Sequence, residues 1–242
     1  MLGALAVGSL AAGSLVLGAL LAFARPWSDR QVGLVLAFGA GALISAVSLE
    51  LAEEGVRVGG LGWTALGLAG GALTYYFLDG LIARESAARS ARRGRGTGAD
   101  AGGALALGAF LDGVPEQLVL GIGLAADGGV AASLLVAILV SNLPEAIGGA
   151  RDMHAAGTSR RRILALWTGV AAVCAAASVV GYAIADAASG EAQAGIDGFA
   201  AGALLVMLID SMIPEARRGA GRAAGLAATL GFAVAAALSS LS

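Results

Sequence analysis

Two short runs set carboxylates beside prolines inside stretches that are otherwise apolar: Asp112-Gly113-Val114-Pro115-Glu116 and Ser141-Asn142-Leu143-Pro144-Glu145. Read as helix, Asp112 and Glu116 lie one turn apart on a common face, and Ser141, Asn142 and Glu145 share a face of theirs. Each proline lacks an N–H, so the carbonyls of Leu111 and Val140 lose their helical partners. Together the runs offer three carboxylates, an amide, a hydroxyl and freed backbone oxygens. That is the donor set of a hard divalent cation. Asp112, Glu116, Asn142 and Glu145 are the expected metal ligands, with Ser141 as a further donor.

The elements that must hold these side chains are membrane-spanning helices. Of 242 residues, 58% are hydrophobic and only 13% charged, where a soluble domain carries about 25% charged residues. A hydrocarbon layer about 30 Å thick asks for roughly 20 apolar residues per helix. Apolar runs at 2–24, 31–52, 60–83, 103–126, 129–150, 163–186, 195–214 and 223–241 meet that requirement. The expectation is therefore an all-α integral membrane protein: an eight-helix bundle forming one transporter domain over 1–242. Strands are excluded, because the runs are long, rich in Ala and Leu, and without period-two alternation. An ionised carboxylate at the centre of such a helix costs about 2.5–3.5 kcal/mol on insertion scales, and no Arg or Lys lies within any span. The acids must be protonated or must hold a cation. The coincidence of four polar groups with two prolines favours the cation.

All fifteen basic residues are Arg. They gather after spans 1, 3, 5 and 7, with Arg57 alone on the opposite side. The positive-inside rule then places the odd-to-even loops in the cytoplasm and both termini outside. The Arg-rich stretch 84–103 reads as a cytoplasmic loop that anchors topology. Met1–Ala24 has no basic leader region and reads as a retained first helix. Cys174 is the one cysteine, so no disulfide forms within the chain. His154 falls in a loop after span 5, outside the site. Pairs such as Gly67/Gly71 have the spacing that lets helix backbones approach closely in lipid.

An internal likeness crosses the chain. Phe38-Gly-Ala-Gly41-Ala-Leu43 in span 2 resembles Phe199-Ala-Ala-Gly202-Ala-Leu204 in span 7, and the two Pro-Glu runs match each other in spans 4 and 5. Spans 2 and 7 run in opposite directions, as do 4 and 5. Inverted repeats with proline-interrupted helices at matching positions point to a transporter's mid-membrane site.

Asp112-Gly-Val-Pro-Glu116 and Asn142-Leu-Pro-Glu145 resemble the signature of the ZIP family of divalent-metal transporters. That resemblance implies eight spans, both ends outside, a variable cytoplasmic loop after span 3, and Glu116 and Glu145 as metal-bridging glutamates. Here Asp112 stands for the family's usual His, Gly113 for a frequent Asn, Ser141 for His or Gln, and Asn142 for Asp or Asn. Zinc favours nitrogen and sulfur donors, while manganese accepts oxygen, so this set is expected to serve Mn²⁺ or Fe²⁺ at least as well as Zn²⁺. Glu50, Glu53 and Glu54 end span 2 at the outer mouth, and Asp210 and Glu215 end span 7 at the inner one. Glu50 and Asp210 are the deeper pathway candidates, and Asp79 reads as interfacial.

The expected function is transport of divalent metal ions (Zn, Mn, Fe class) across the cytoplasmic membrane of a prokaryote. The transported ion, and no separate cofactor, occupies the site. The expected partners are the ion, the bilayer and a second copy of the chain, and no nucleic acid. A divalent-cation channel is the nearest alternative. An enzyme has one foothold: Asp79-Gly80-x-x-Ala83-Arg84 begins like the motif of CDP-alcohol phosphatidyltransferases. The Asp pair that must follow is missing, and without it no two-metal phosphate site forms. An intramembrane serine protease would need a histidine within a span, and none is there.

Overall fold

The computed structural model describes residues 1–93, 113–125, 132–188 and 190–240. Among them every regular element is helical. The helices are α1 (Leu2–Ala24), α2 (Asp29–Gly59), α3 (Leu61–Arg93), α4 (Gly113–Ala125), α5 (Ala132–Ala155), α6 (Arg160–Asp186), α7 (Glu191–Ala220) and α8 (Ala223–Ser239). Five of them, α1, α2, α5, α6 and α7, contain stretches long and apolar enough to cross a membrane. Asp112, the 94–103 half of the 84–103 stretch and the turn between α4 and α5 lie outside the described residues.

Local sequence accounts for the helix limits. Ser28 and Gln31 form a reciprocal capping box at the start of α2, with both bonds at 3.2 Å. Helices α2 and α7 end in matching fashion. Gly60 (φ 87°, ψ 163°) and Gly221 (φ 59°, ψ −136°) take a positive-φ conformation open to glycine, and their N–H groups donate to Val56 and Arg217. That conformation carries no penalty for glycine.

Helices α2 and α7 are longer than the sequence spans suggested, and each is interrupted by a π-helical turn. These turns are Val47–Ala52 and Leu208–Met212, each beginning nine residues after the matched Phe38 and Phe199. An i→i+5 bond closes each turn: the Glu53 N–H donates to Ser48 and the Ile213 N–H to Leu208. Such turns occur mostly as single insertions at functional positions. Apolar periodicity cannot reveal them, because one extra residue per turn leaves the run apolar.

The internal likeness extends to the packing. Phe38 and Gly41 of α2 meet Gly231 and Ala228 of α8, while Phe199 and Gly202 of α7 meet Gly71 and Leu68 of α3. In all four places a Cβ on the glycine would run into the facing carbonyl. Gly33 packs on Ala220 just as Gly59 packs on Ala194, where a Cβ would lie 2.7 Å and 2.6 Å from the nearest atom. Helix α2 therefore runs antiparallel to α7, and the pair α2/α8 repeats as α7/α3. The backbones sit this close because small residues line the contacts, and in lipid close packing supplies much of the attraction between helices.

A second cluster forms around α1, α5 and α6, with α5 also packed on α2 where Gly39 meets Ser141. Ala12 and Leu15 of α1, Ala146 and Met153 of α5, and Trp167 and Cys174 of α6 form one buried cluster. Helix α4 joins it where Gly121 lies against the Ser178 carbonyl of α6. Between α4 and the α3/α7 pair lies an apolar cavity of about 670 Å³, with Pro115 and Leu118 on one wall and Tyr75 and Phe199 on the other. Asp79 stands at its edge.

Gly41→Val and Gly202→Val are each expected to destabilise the detergent-solubilised protein, by roughly the 1–3 kcal/mol of overpacking. Gly169→Ala on α6, with nothing within 4 Å of the new Cβ, is expected to be neutral or slightly stabilising. Thermal melts of the three variants check this, and equal melting temperatures would refute close backbone contact at Gly41 and Gly202.

Candidate functional site

Helices α4 and α5 bring Glu116 and Ser141 together. Glu116 is fully buried, as is Ser141, and the Ser141 hydroxyl lies 3.3 Å and 3.4 Å from the two carboxylate oxygens. The same hydroxyl reaches back to the Ile138 carbonyl at 3.0 Å, a local bond that serine readily makes within a helix. Pro144 sits inside α5 and leaves the Val140 carbonyl without its helical donor.

Asn142, next on α5, is 1% exposed. Its amide nitrogen donates to the Ala11 carbonyl of α1 at 3.2 Å, while its side-chain oxygen has no partner among the described residues. A buried acceptor left in that state carries a desolvation cost of about 1–3 kcal/mol. Glu145 is half-buried one turn further along α5.

Helix α6 packs against α4 here. Cys174 is fully buried and lies within electrostatic reach of both Glu145 and Glu116. Its sulfur occupies the space opposite Gly113, where a Cβ would be only 2.9 Å away. Sulfur is a softer donor than oxygen, and the Cys174 thiol packs against the start of α4 at Gly113. The sequence carried no signal for this, because a lone cysteine in an apolar run reads as core packing.

Among the described residues no three His, Cys, Asp or Glu side chains close on one point as a finished metal cage. Asp112 falls outside those residues. The contacts bring Glu116 and Ser141 together, while Cys174 packs on Gly113 and Asn142 bonds to Ala11 of α1.

The pathway candidates are placed differently. Glu50 is half-buried within the π-turn of α2, and Asp210 is exposed on that of α7. Glu53 and Glu215 are exposed, and Glu54 is paired with Arg57 through bonds that include Nε to Oε2 at 2.7 Å. His154 is exposed in the last turn of α5, with its ring edge-on to Phe23.

One buried acid went unread in the sequence. Asp197 of α7 is 1% exposed and accepts from Gln193 Nε2 at 2.8 Å, beside Gly55 of α2. The four-residue spacing of Gln193 and Asp197 on one helix face was the available sign. No model of a known protein family matches the chain, and no curated protein matches it.

Proposed function

We propose that this chain transports divalent metal ions across the cytoplasmic membrane, and that the ion passes between α4, α5 and α6 at Glu116 and Glu145. One observation carries the reading: the Glu116 carboxylate is fully buried among apolar helices and faced by the Ser141 hydroxyl of α5. The side-chain oxygen of Asn142, the next residue of α5 after Ser141, has no partner among the described residues. A carboxylate in such surroundings is stabilised by a cation, and a divalent ion needs several oxygens to replace its water.

The matched packing of α2/α8 and α7/α3 supports an inverted-repeat transporter with eight spans. The Pro-Glu runs support membership of the ZIP family. Arginines at the odd-to-even helix connections support a cytoplasmic location for those loops and external termini.

Two measurements test this. Proteoliposomes holding the purified chain are expected to take up Mn²⁺, Fe²⁺, Zn²⁺ or Cd²⁺ with saturation at low metal concentration, and empty liposomes are not. Flux that rises linearly with concentration would indicate an open pore. For the topology, a cysteine at Ser159 is expected to be shielded from an impermeant thiol reagent on intact cells, and one at Ala187 to react. Equal labelling of the two would overturn the orientation.

A further inference from the structure

Gly113, Gln117 and Gly121 recur at four-residue spacing along α4, so they form one row on the helix surface. The two glycines of that row face α6. Gly113 lies against the Cys174 sulfur, and Gly121 against the Ser178 carbonyl and the Tyr182 backbone nitrogen. Gln117 sits between them, at the level of Cys174 and Ser178, and is fully buried.

Neither its side-chain nitrogen nor its oxygen has a hydrogen-bond partner among the described residues. Ser178, the nearest hydroxyl on the facing row, already donates to the Ala4 and Ala175 carbonyls at 2.9 Å and 3.0 Å. A carboxamide held in such an interface loses the hydrogen bonds of water and receives none in return. Leucine or methionine would fill the same space without that cost. Gln117 therefore calls for a partner that the neighbouring helices do not supply.

The surroundings indicate what the partner is. Gly113 is three residues before Glu116 and four before Gln117, so both side chains flank the gap that the Cys174 sulfur enters. Cys174 is in turn within electrostatic reach of Glu116 and Glu145. An ion held by the two glutamates is thus bordered on its α6 side by the unsatisfied carboxamide. Amide oxygens are ordinary ligands of hard divalent ions.

We propose that Gln117 is a further ligand of the ion site, its side-chain oxygen completing from the α6 side the donor set that Glu116 and Glu145 supply from α4 and α5. This rests on the metal-transport reading above. As a neutral donor, Gln117 replaces water on the ion without changing the charge of the site. Its loss weakens Mn²⁺ more than Cd²⁺, because sulfur supplies a larger part of the bonding to the softer ion.

Equilibrium dialysis of the purified full chain against Mn²⁺, with melts in the presence and absence of metal, tests the assignment. Gln117→Leu is expected to raise the Mn²⁺ Kd about tenfold or more, to shrink the metal-dependent rise in melting temperature, and to leave the metal-free melting temperature unchanged or higher. Gln117→Glu keeps the oxygen and is expected to bind Mn²⁺ at least as tightly as wild type. A Gln117→Leu protein with Kd within twofold of wild type overturns the proposal. If that variant does not fold, a folded Gln117→Glu protein that binds more weakly than wild type overturns it. The failure of the underlying reading looks different: Glu116→Gln would then bind Mn²⁺ as wild type does, or wild type would not bind it at all.

Discussion

Glu116→Gln and Glu145→Gln are each expected to reduce divalent-metal uptake to less than about a tenth of wild type, with membrane insertion intact. The substitutions keep size and one acceptor oxygen and remove one negative charge. A loss of about 1.4 kcal/mol in ion binding already gives a tenfold fall. In a site as dry as the one around Glu116, which is fully buried, removing one of two charges from a divalent ion costs more than that. Insertion is expected to improve slightly, because an amide is cheaper to bury than a carboxylate. On the proposed reading both residues act on one ion, so the double variant is expected to lose little beyond either single one. Alanine at Glu53 or Glu54 changes mainly the apparent affinity, because mouth charges only raise the local ion concentration. Uptake by proteoliposomes of matched protein content checks the series, and near-normal uptake by either Gln variant would remove the site between α4 and α5.

Cys174→Ser is expected to change selectivity more than capacity. The sulfur sits opposite Gly113 and within electrostatic reach of both glutamates, so on the proposed metal-transport reading it adds one soft donor to oxygen ligands. Replacing it with a hydroxyl keeps the volume nearly constant and removes that softness. The ratio of Cd²⁺ to Mn²⁺ uptake is expected to fall by about tenfold, with Mn²⁺ uptake within a few-fold of wild type. Competition between the two ions, measured on wild type and variant in parallel, reads the ratio directly. An unchanged ratio would return Cys174 to the role of core packing.

The sequence alone showed an all-helical chain with several membrane-length apolar runs and the Pro-Glu pair, because apolar run length and residue spacing are properties of a linear chain. The runs at 2–24, 163–186 and 223–241 correspond closely to Leu2–Ala24, Arg160–Asp186 and Ala223–Ser239. The likeness of Phe38–Leu43 to Phe199–Leu204 was also legible, and it returned as matched contacts of Gly41 and Gly202 with their neighbours. The tertiary structure alone decided which polar groups count. Cys174, Gln117 and Asp197 each look unremarkable along the chain, yet all three are buried to 1% exposure or less. A single polar residue in an apolar run becomes chemically significant only when its helix face meets another helix, and rotation about the helix axis is set by that packing. The π-turns of α2 and α7 belong to the same class, since a one-residue insertion in the helical bonding is a feature of backbone geometry that run length does not record.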